Sequence, residues 1–175
     1  KQTAVSITVG DPTQEGDHIG PLFDKIQYDR VQAMIKVGLA EGATLLAGGP
    51  GRPEGLAKGW FVKPTIFADV SNDMRIAQEE IFGPVLVIIP FADEAEGIAI
   101  ANDTPYGLAA YVQTGDPERA LRVAARLRAG AIHINGGGFN YGSPFGGYKQ
   151  SGNGREGGIM GLEDYLDTKT LHGVG

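Results

Sequence analysis

The chain has 175 residues, a formal net charge of −6 and no cysteine. One domain is the prior for this length, and about 70% of the unfolded surface can be buried, so a core is within reach. The acidic balance makes nucleic acid and anionic membrane poor partners, and the missing cysteine excludes disulfides, thiolate metal sites and a cysteine nucleophile within these residues.

Residues 4–9 read as a short extended piece, and Gly10-Asp11-Pro12 as a turn. Gly20-Pro21 opens a helix, because proline costs nothing in a first turn. Phe23, Ile26, Val31, Met34 and Ile35 recur at helical spacing to about Ala40, and Gly42 is a stop. Residues 43–47 read as a strand, 48–55 as a breaker-rich loop and 60–67 as an extended run. Together they predict a hairpin, placed at the periphery.

Gln78-Glu79-Glu80-Ile81-Phe82-Gly83-Pro84 comes next. Two carboxylates run into an apolar pair and a Gly-Pro turn, which predicts a helix end before a core strand at 85–89. A carboxylate near an aromatic ring also makes a polar handle next to a stacking face. It accepts two hydrogen bonds, which suits the vicinal hydroxyls of a ribose.

A helix over 93–102 follows, with Asp93 and Glu96 at capping-box spacing. A strand at 108–113, a helix capped by Asp116 and stopping before Gly130, and a strand at 131–135 complete the pattern. Strand, helix, strand, helix, strand at these lengths predicts an α/β fold, a three-layer parallel sheet with a βαβαβ core. Arg119, Arg122 and Arg126 share one helix face and read as a solvated face.

Ligands of open α/β sheets bind beyond the carboxyl ends of the strands. The loop 136–147 is therefore the candidate site, with Phe139, Asn140, Tyr141 and Phe145 among its glycines. Residues 152–157 match G-x-G-x-x-G but lack a preceding strand, and His172 stands where the fingerprint needs an acid, so the match is rejected. His18, His133 and His172 share no ligand spacing, and no metal site is expected. Asn102-Asp103-Thr104 fits a glycosylation sequon, but no leader and no apolar run of about 18 residues points to secretion or insertion, so a cytoplasmic location is expected. Residues 165–171 favour an extended edge strand at the C-terminus, able to pair with another chain.

The chain resembles the aldehyde dehydrogenase superfamily. The family's E-E-I-F-G-P stands unaltered at 79–84. Gly59-Trp60-Phe61-Val62-Lys63-Pro64-Thr65 is similar to G-x-F-x-x-P-T. Ala101-Asn102-Asp103-Thr104-Pro105-Tyr106-Gly107-Leu108 is similar to A-N-x-T-x-Y-G-L. Ser143-Pro144-Phe145-Gly146-Gly147-Tyr148-Lys149 and Ser151-Gly152-Asn153-Gly154-Arg155-Glu156 follow in the family's order.

The resemblance implies the C-terminal part of an NAD(P)-dependent enzyme that oxidises an aldehyde to a carboxylic acid through a cysteine thioester. Residues 1–160 would belong to its catalytic domain and 161–175 to a C-terminal oligomerisation strand of a homo-oligomer. It implies cofactor contacts at Glu80, to the nicotinamide ribose, and at Phe82, beside the nicotinamide ring. It implies substrate contacts at Asn135 and Phe145, and leaves Glu79 structural. The cysteine, the general base and the nucleotide-binding domain would lie upstream, so no catalytic residue, no tightly bound NAD or NADP and no activity are expected of this chain alone. The alternatives are a free-standing, non-catalytic assembly domain and part of a CoA-acylating semialdehyde dehydrogenase.

Overall fold

The computed structural model describes residues 6–173. They form two compact units, one ending at Phe91 and the other beginning at Ala92. Each is described on its own.

In the first unit, β1 (Thr8–Val9) and β2 (His18–Ile19) pair in parallel. Ala4 and Val5, the start of the expected extended piece, lie outside the described residues. Helix α1 (Lys25–Ala40) starts four residues later than Pro21 predicts. Its start is set by Asp24, whose extended backbone lets Oδ1 accept from the Gln27 amide at 2.7 Å. Phe23 and Ile26 consequently miss the core and are 92% and 80% exposed. Val31, Met34 and Ile35 form the buried stripe. The helix ends at Ala40, and Gly42 (φ +90°) carries the left-handed turn that follows.

Strands β3 (Thr44–Ala47), β4 (Thr65–Ala68) and β5 (Val85–Val87) form one sheet in the order β3–β4–β5. The β3–β4 pair is antiparallel, the hairpin read from sequence. It is not peripheral: β4 is the middle strand, and Thr65 and Phe67 are among the most buried side chains. A Thr at a core position is affordable because its hydroxyl donates to the Lys63 carbonyl and accepts from the Gly49 amide. The short helix α2 (Arg75–Gln78) adds Ile76 to a core of Val31, Met34, Ile35, Val62, Phe67 and Val70.

In the second unit, α3 (Glu94–Asn102) is capped by Asp93, which accepts from the Glu96 amide. The Glu96 carboxylate reaches back to the amide of Ala92, one residue before the cap. Then β6 (Ala109–Val112), α4 (Pro117–Ala124) and β7 (Ala131–Ile134) form a βαβ unit. Its strands pair in parallel from Ala109↔Ala131 to Val112↔Ile134. Asp116 caps α4 by accepting from the amides of Glu118 and Arg119. The α/β reading and the parallel pairing hold. The single βαβαβ run does not: β5 takes β4 as its hydrogen-bonding partner, and β6 and β7 pair with each other. Sequence periodicity gives strand existence but carries no information on which edge a strand chooses.

A 3₁₀ turn (Lys149–Ser151) and α5 (Gly158–Glu163) close the unit. The expected C-terminal edge strand is not formed: residues 167–172 have no regular structure. A strand needs a neighbouring row of N–H and C=O groups, and no described residue pairs with this segment.

Candidate functional site

Each unit presents one candidate segment. In the first, the chain leaves α2 through Glu79, whose carboxylate pairs with Arg75 at 2.7 Å. Hydrogen bonding to Arg75, and then the charges of Arg75 and Arg30, hold the Glu79 carboxyl below its ordinary value against the desolvation that raises it. Ile81 plugs into the core and is buried. On either side of it, Glu80 and Phe82 stay on the surface, Phe82 63% exposed.

Phe82 has φ +61°. The left-handed region crowds Cβ against the carbonyl oxygen and costs a residue with a side chain about 1–2 kcal/mol. Such strain persists only where the surroundings over-determine it, and it gathers at functional sites. The surroundings are visible here. Gly83 backs onto Val31 so closely that a Cβ on it would stand 2.7 Å from Val31 Cγ2. The Pro84 carbonyl accepts from the Thr65 amide at 2.9 Å, locking the turn to β4. From α1, Gln27 Nε2 donates to the Phe82 carbonyl at 2.6 Å and Arg30 Nη2 to the Glu80 carbonyl at 2.8 Å. The Glu80 carboxylate makes no hydrogen bond to a described residue. A fixed backbone thus presents a free carboxylate and an exposed ring two residues apart. That donor set fits a ribose with its two vicinal hydroxyls and a flat heterocycle beside it.

In the second unit, β7 runs into the loop 136–147. Asn135 sits at the turn with φ +49°. Both ends of its amide are used on Thr114: Oδ1 accepts from the Thr114 amide at 2.9 Å and Nδ2 donates to the Thr114 carbonyl at 2.8 Å. Asn135 therefore fixes where β7 ends and the loop begins. Phe145 is paired with Glu156 by two 2.7 Å backbone hydrogen bonds. Its ring meets Phe139 edge-on at 6.0 Å, and Phe139 meets Tyr141 in the same way at 5.1 Å. A cleft of about 380 Å³ lies between β7 and this loop, with Phe139 and Phe145 in its wall. Its size and aromatic lining suit a small, largely apolar molecule.

The other motifs read as scaffold. Asn102 donates to the Arg126 carbonyl and accepts from the Arg128 amide, while Lys149 Nζ donates to the carbonyls of Asn102 and Thr104. Gly130 lies so near Gly146 that a Cβ would stand 1.6 Å from its carbonyl oxygen. Arg155 donates to three backbone carbonyls, including that of Gly147, so the glycine-rich segment is a brace with no strand before it. Among the described residues no group of three His, Asp or Glu side chains could hold a metal. His133 stacks on Tyr111 at 4.9 Å and donates from Nδ1 to the Gly137 carbonyl, and His18 Nε2 contacts the Asp11 carbonyl. Arg122 and Arg119 of the arginine face pair with Glu94.

Sequence reasoning singled out Glu80, Phe82, Asn135 and Phe145. It missed Gln27 and Arg30. They stand one helical turn apart, which in hindsight puts them on one face, but nothing local ties them to a segment 50 residues on.

Comparison with known proteins agrees with this geometry. The family model described as aldehyde dehydrogenase family matches residues 1–171. A 3-succinoylsemialdehyde-pyridine dehydrogenase of Pseudomonas sp. is 55% identical over 167 residues, which are 95% of this chain and 35% of the relative. A mutant of aldehyde dehydrogenase C (AldC) from Pseudomonas syringae, solved with NAD+ and octanal, superposes with a TM-score of 0.94 at 54% identity, over 96% of this chain and 35% of that one. An aldehyde dehydrogenase of Mycobacterium tuberculosis solved with NAD+ gives a TM-score of 0.90 at 51% identity, over 94% and 34%. The chain belongs to the aldehyde dehydrogenase family. It spans about a third of the length of the relatives it matches.

Proposed function

We propose that this chain is the C-terminal portion of a cytoplasmic, NAD-dependent aldehyde dehydrogenase that oxidises an aldehyde to a carboxylic acid. Its cysteine nucleophile and general base are supplied by a longer polypeptide, since the chain has no cysteine and covers 35% of its relatives. The observation that carries the reading is the clamped segment 80–82, a free carboxylate beside a strained, exposed aromatic residue, in relatives solved with NAD+. When bound, NAD accepts the hydride. Glu80 holds the nicotinamide ribose through its two hydroxyls, and Phe82 sets the plane of the ring. Neither residue moves a proton. Phe145 lines the mouth through which the aldehyde enters, and Asn135 fixes that mouth to β7. NADP in place of NAD uses the same two residues, because the ribose next to nicotinamide is common to both. Residues 161–175 form the contact of a homo-oligomer.

The test is Glu80→Gln in the full-length enzyme. The amide keeps the shape and loses charge-assisted hydrogen bonds worth about 1.5–3 kcal/mol, roughly 10- to 150-fold. Single-turnover hydride transfer and NAD affinity fall by that factor, while release of the acid, read as a burst of product after the cofactor step, keeps its rate. Unchanged hydride transfer removes Glu80 from the cofactor site. Recovery of an acyl-CoA instead of the acid assigns the CoA-acylating chemistry.

A further inference from the structure

Resting on the reading of Glu80 and Phe82 as cofactor contacts, we propose that Gln27 and Arg30 of α1 are positioning residues that hold those two contacts in their binding geometry through the backbone. Each donates to the carbonyl of one contact residue, Gln27 to Phe82 at 2.6 Å and Arg30 to Glu80 at 2.8 Å. The carbonyls lie on either side of Ile81, the one side chain of the three that is buried. The two donors and the buried side chain therefore fix three successive residues.

The clamp is needed because Phe82 has φ +61°. With a free carbonyl, the Phe82–Gly83 peptide can rotate to relieve that strain and carry the ring with it. Gly83 cannot absorb the change, being pressed against Val31 of the same helix. The two donors are otherwise unneeded by the fold. The interior of α1 is held by Val31, Met34 and Ile35, and Arg30 is exposed. Arg30 also brings a positive charge to this end of the segment, where it depresses the Glu79 carboxyl. That charge steadies the acidic pair Glu79-Glu80 without contacting a ligand. The hydrogen bonds are ordinary ones, so each donor is worth a fewfold effect and not an all-or-none loss.

The full-length enzyme tests this with three variants. Gln27→Glu replaces the donor by an acceptor of the same shape. Arg30→Met keeps length and removes the donors. Arg30→Lys restores one donor. Three quantities are read: equilibrium NAD affinity, the single-turnover hydride-transfer rate, and hydrogen exchange of the Val85 amide, which is bonded to the Gly83 carbonyl at 2.7 Å. Gln27→Glu and Arg30→Met weaken NAD binding and slow hydride transfer roughly 3- to 10-fold and speed Val85 exchange, with little change in melting temperature. Arg30→Lys recovers most of the loss. If Gln27→Glu does not fold, Gln27→Ala removes the same donor.

Glu80→Gln is run in parallel. If it impairs the cofactor step while the α1 variants match the wild type in affinity and exchange, the positioning role is overturned and the cofactor site stands. If Glu80→Gln matches the wild type, the cofactor reading falls, and faster Val85 exchange in the α1 variants still upholds the clamp.

Discussion

At the scale of single residues, the informative one is Phe82. Its ring is exposed and its backbone is left-handed, so side chain and backbone ask for different amino acids. Elsewhere alanine is more stable than glycine by about 0.5–1 kcal/mol. Here the order is reversed: Phe82→Gly unfolds at higher denaturant than Phe82→Ala, by about 1 kcal/mol, because only glycine loses the strain. Chemical unfolding of the two variants measures this, and a more stable alanine variant denies the strain. Gly130 gives the opposite case. A Cβ there meets the Gly146 carbonyl at 1.6 Å, so Gly130→Ala forces two backbones apart and costs at least the upper end of the ~1–3 kcal/mol typical of overpacking. A melting temperature within a degree of the wild type would contradict that. Both residues sit in motifs that the sequence displays openly, and so Glu80, Phe82 and Phe145 were legible. Gln27 and Arg30 were not, because their partners are main-chain atoms 50 and 55 residues away, and a carbonyl leaves no mark in a sequence.

At the scale of elements, caps were the best-read features. Asp93 and Asp116 start α3 and α4 where short polar side chains meet free amides. The same logic applied to Asp24 would have placed α1 correctly, and Pro21 misled because proline tolerates a first turn without requiring one. The hairpin was legible as a hairpin but not as the middle of a sheet, since β4 owes its burial to β5, about 20 residues on. Between α3 and α4, Glu94 accepts from Arg122 Nε and Nη2 at 2.9 and 2.8 Å. Hydrogen bonds from Arg122, followed by the charges of Arg122, Arg119 and Arg126, lower the Glu94 carboxyl from its ordinary 4.5 against desolvation. A carboxyl that titrates lower when folded binds fewer protons in that state. Its stabilisation is present in full above pH 4.5 and is lost as pH falls through the lowered folded value. Glu94→Gln should therefore be slightly less stable than the wild type at pH 7, with the gap closing under acid. Denaturant titrations at both pH values decide it, and a gap that widens in acid refutes the pairing. The effect is small because both partners are well exposed.

At the scale of the molecule, apolar surface is left uncovered. Phe23, Ile26, Leu86 and Phe91 in the first unit, and Ile159, Met160, Tyr165 and Leu171 in the second, are more than half exposed. Surface of that kind is commonly covered by another chain or by more of the same one. The unformed strand at 167–172 belongs with it, since a strand waits on a partner to define it. The isolated chain is expected to oxidise no aldehyde with NAD and to self-associate. Sedimentation of the chain and of a form ending at Gly161 tests the second point. A monomer at micromolar concentration for the intact chain rules out self-association, and an oligomer unchanged by truncation moves the contact away from 162–175. NADH formation above background by the chain alone would overturn the need for an upstream cysteine.

The loop after β7 has a further consequence, for proteases. Residues 138–144 are exposed and irregular, and Tyr141 is 88% exposed. Both ends are tied down: Asn135 to Thr114, and the chain beyond Phe145 through Tyr148 to the Gly107 carbonyl, Gln150 to the Pro105 carbonyl and Lys149 to Asn102. A single chymotryptic cut after Phe139 or Tyr141 should therefore leave two pieces that travel as one through a native gel and part only in denaturant. A filled cleft should slow the cut, because Phe139 is both its wall and the scissile site.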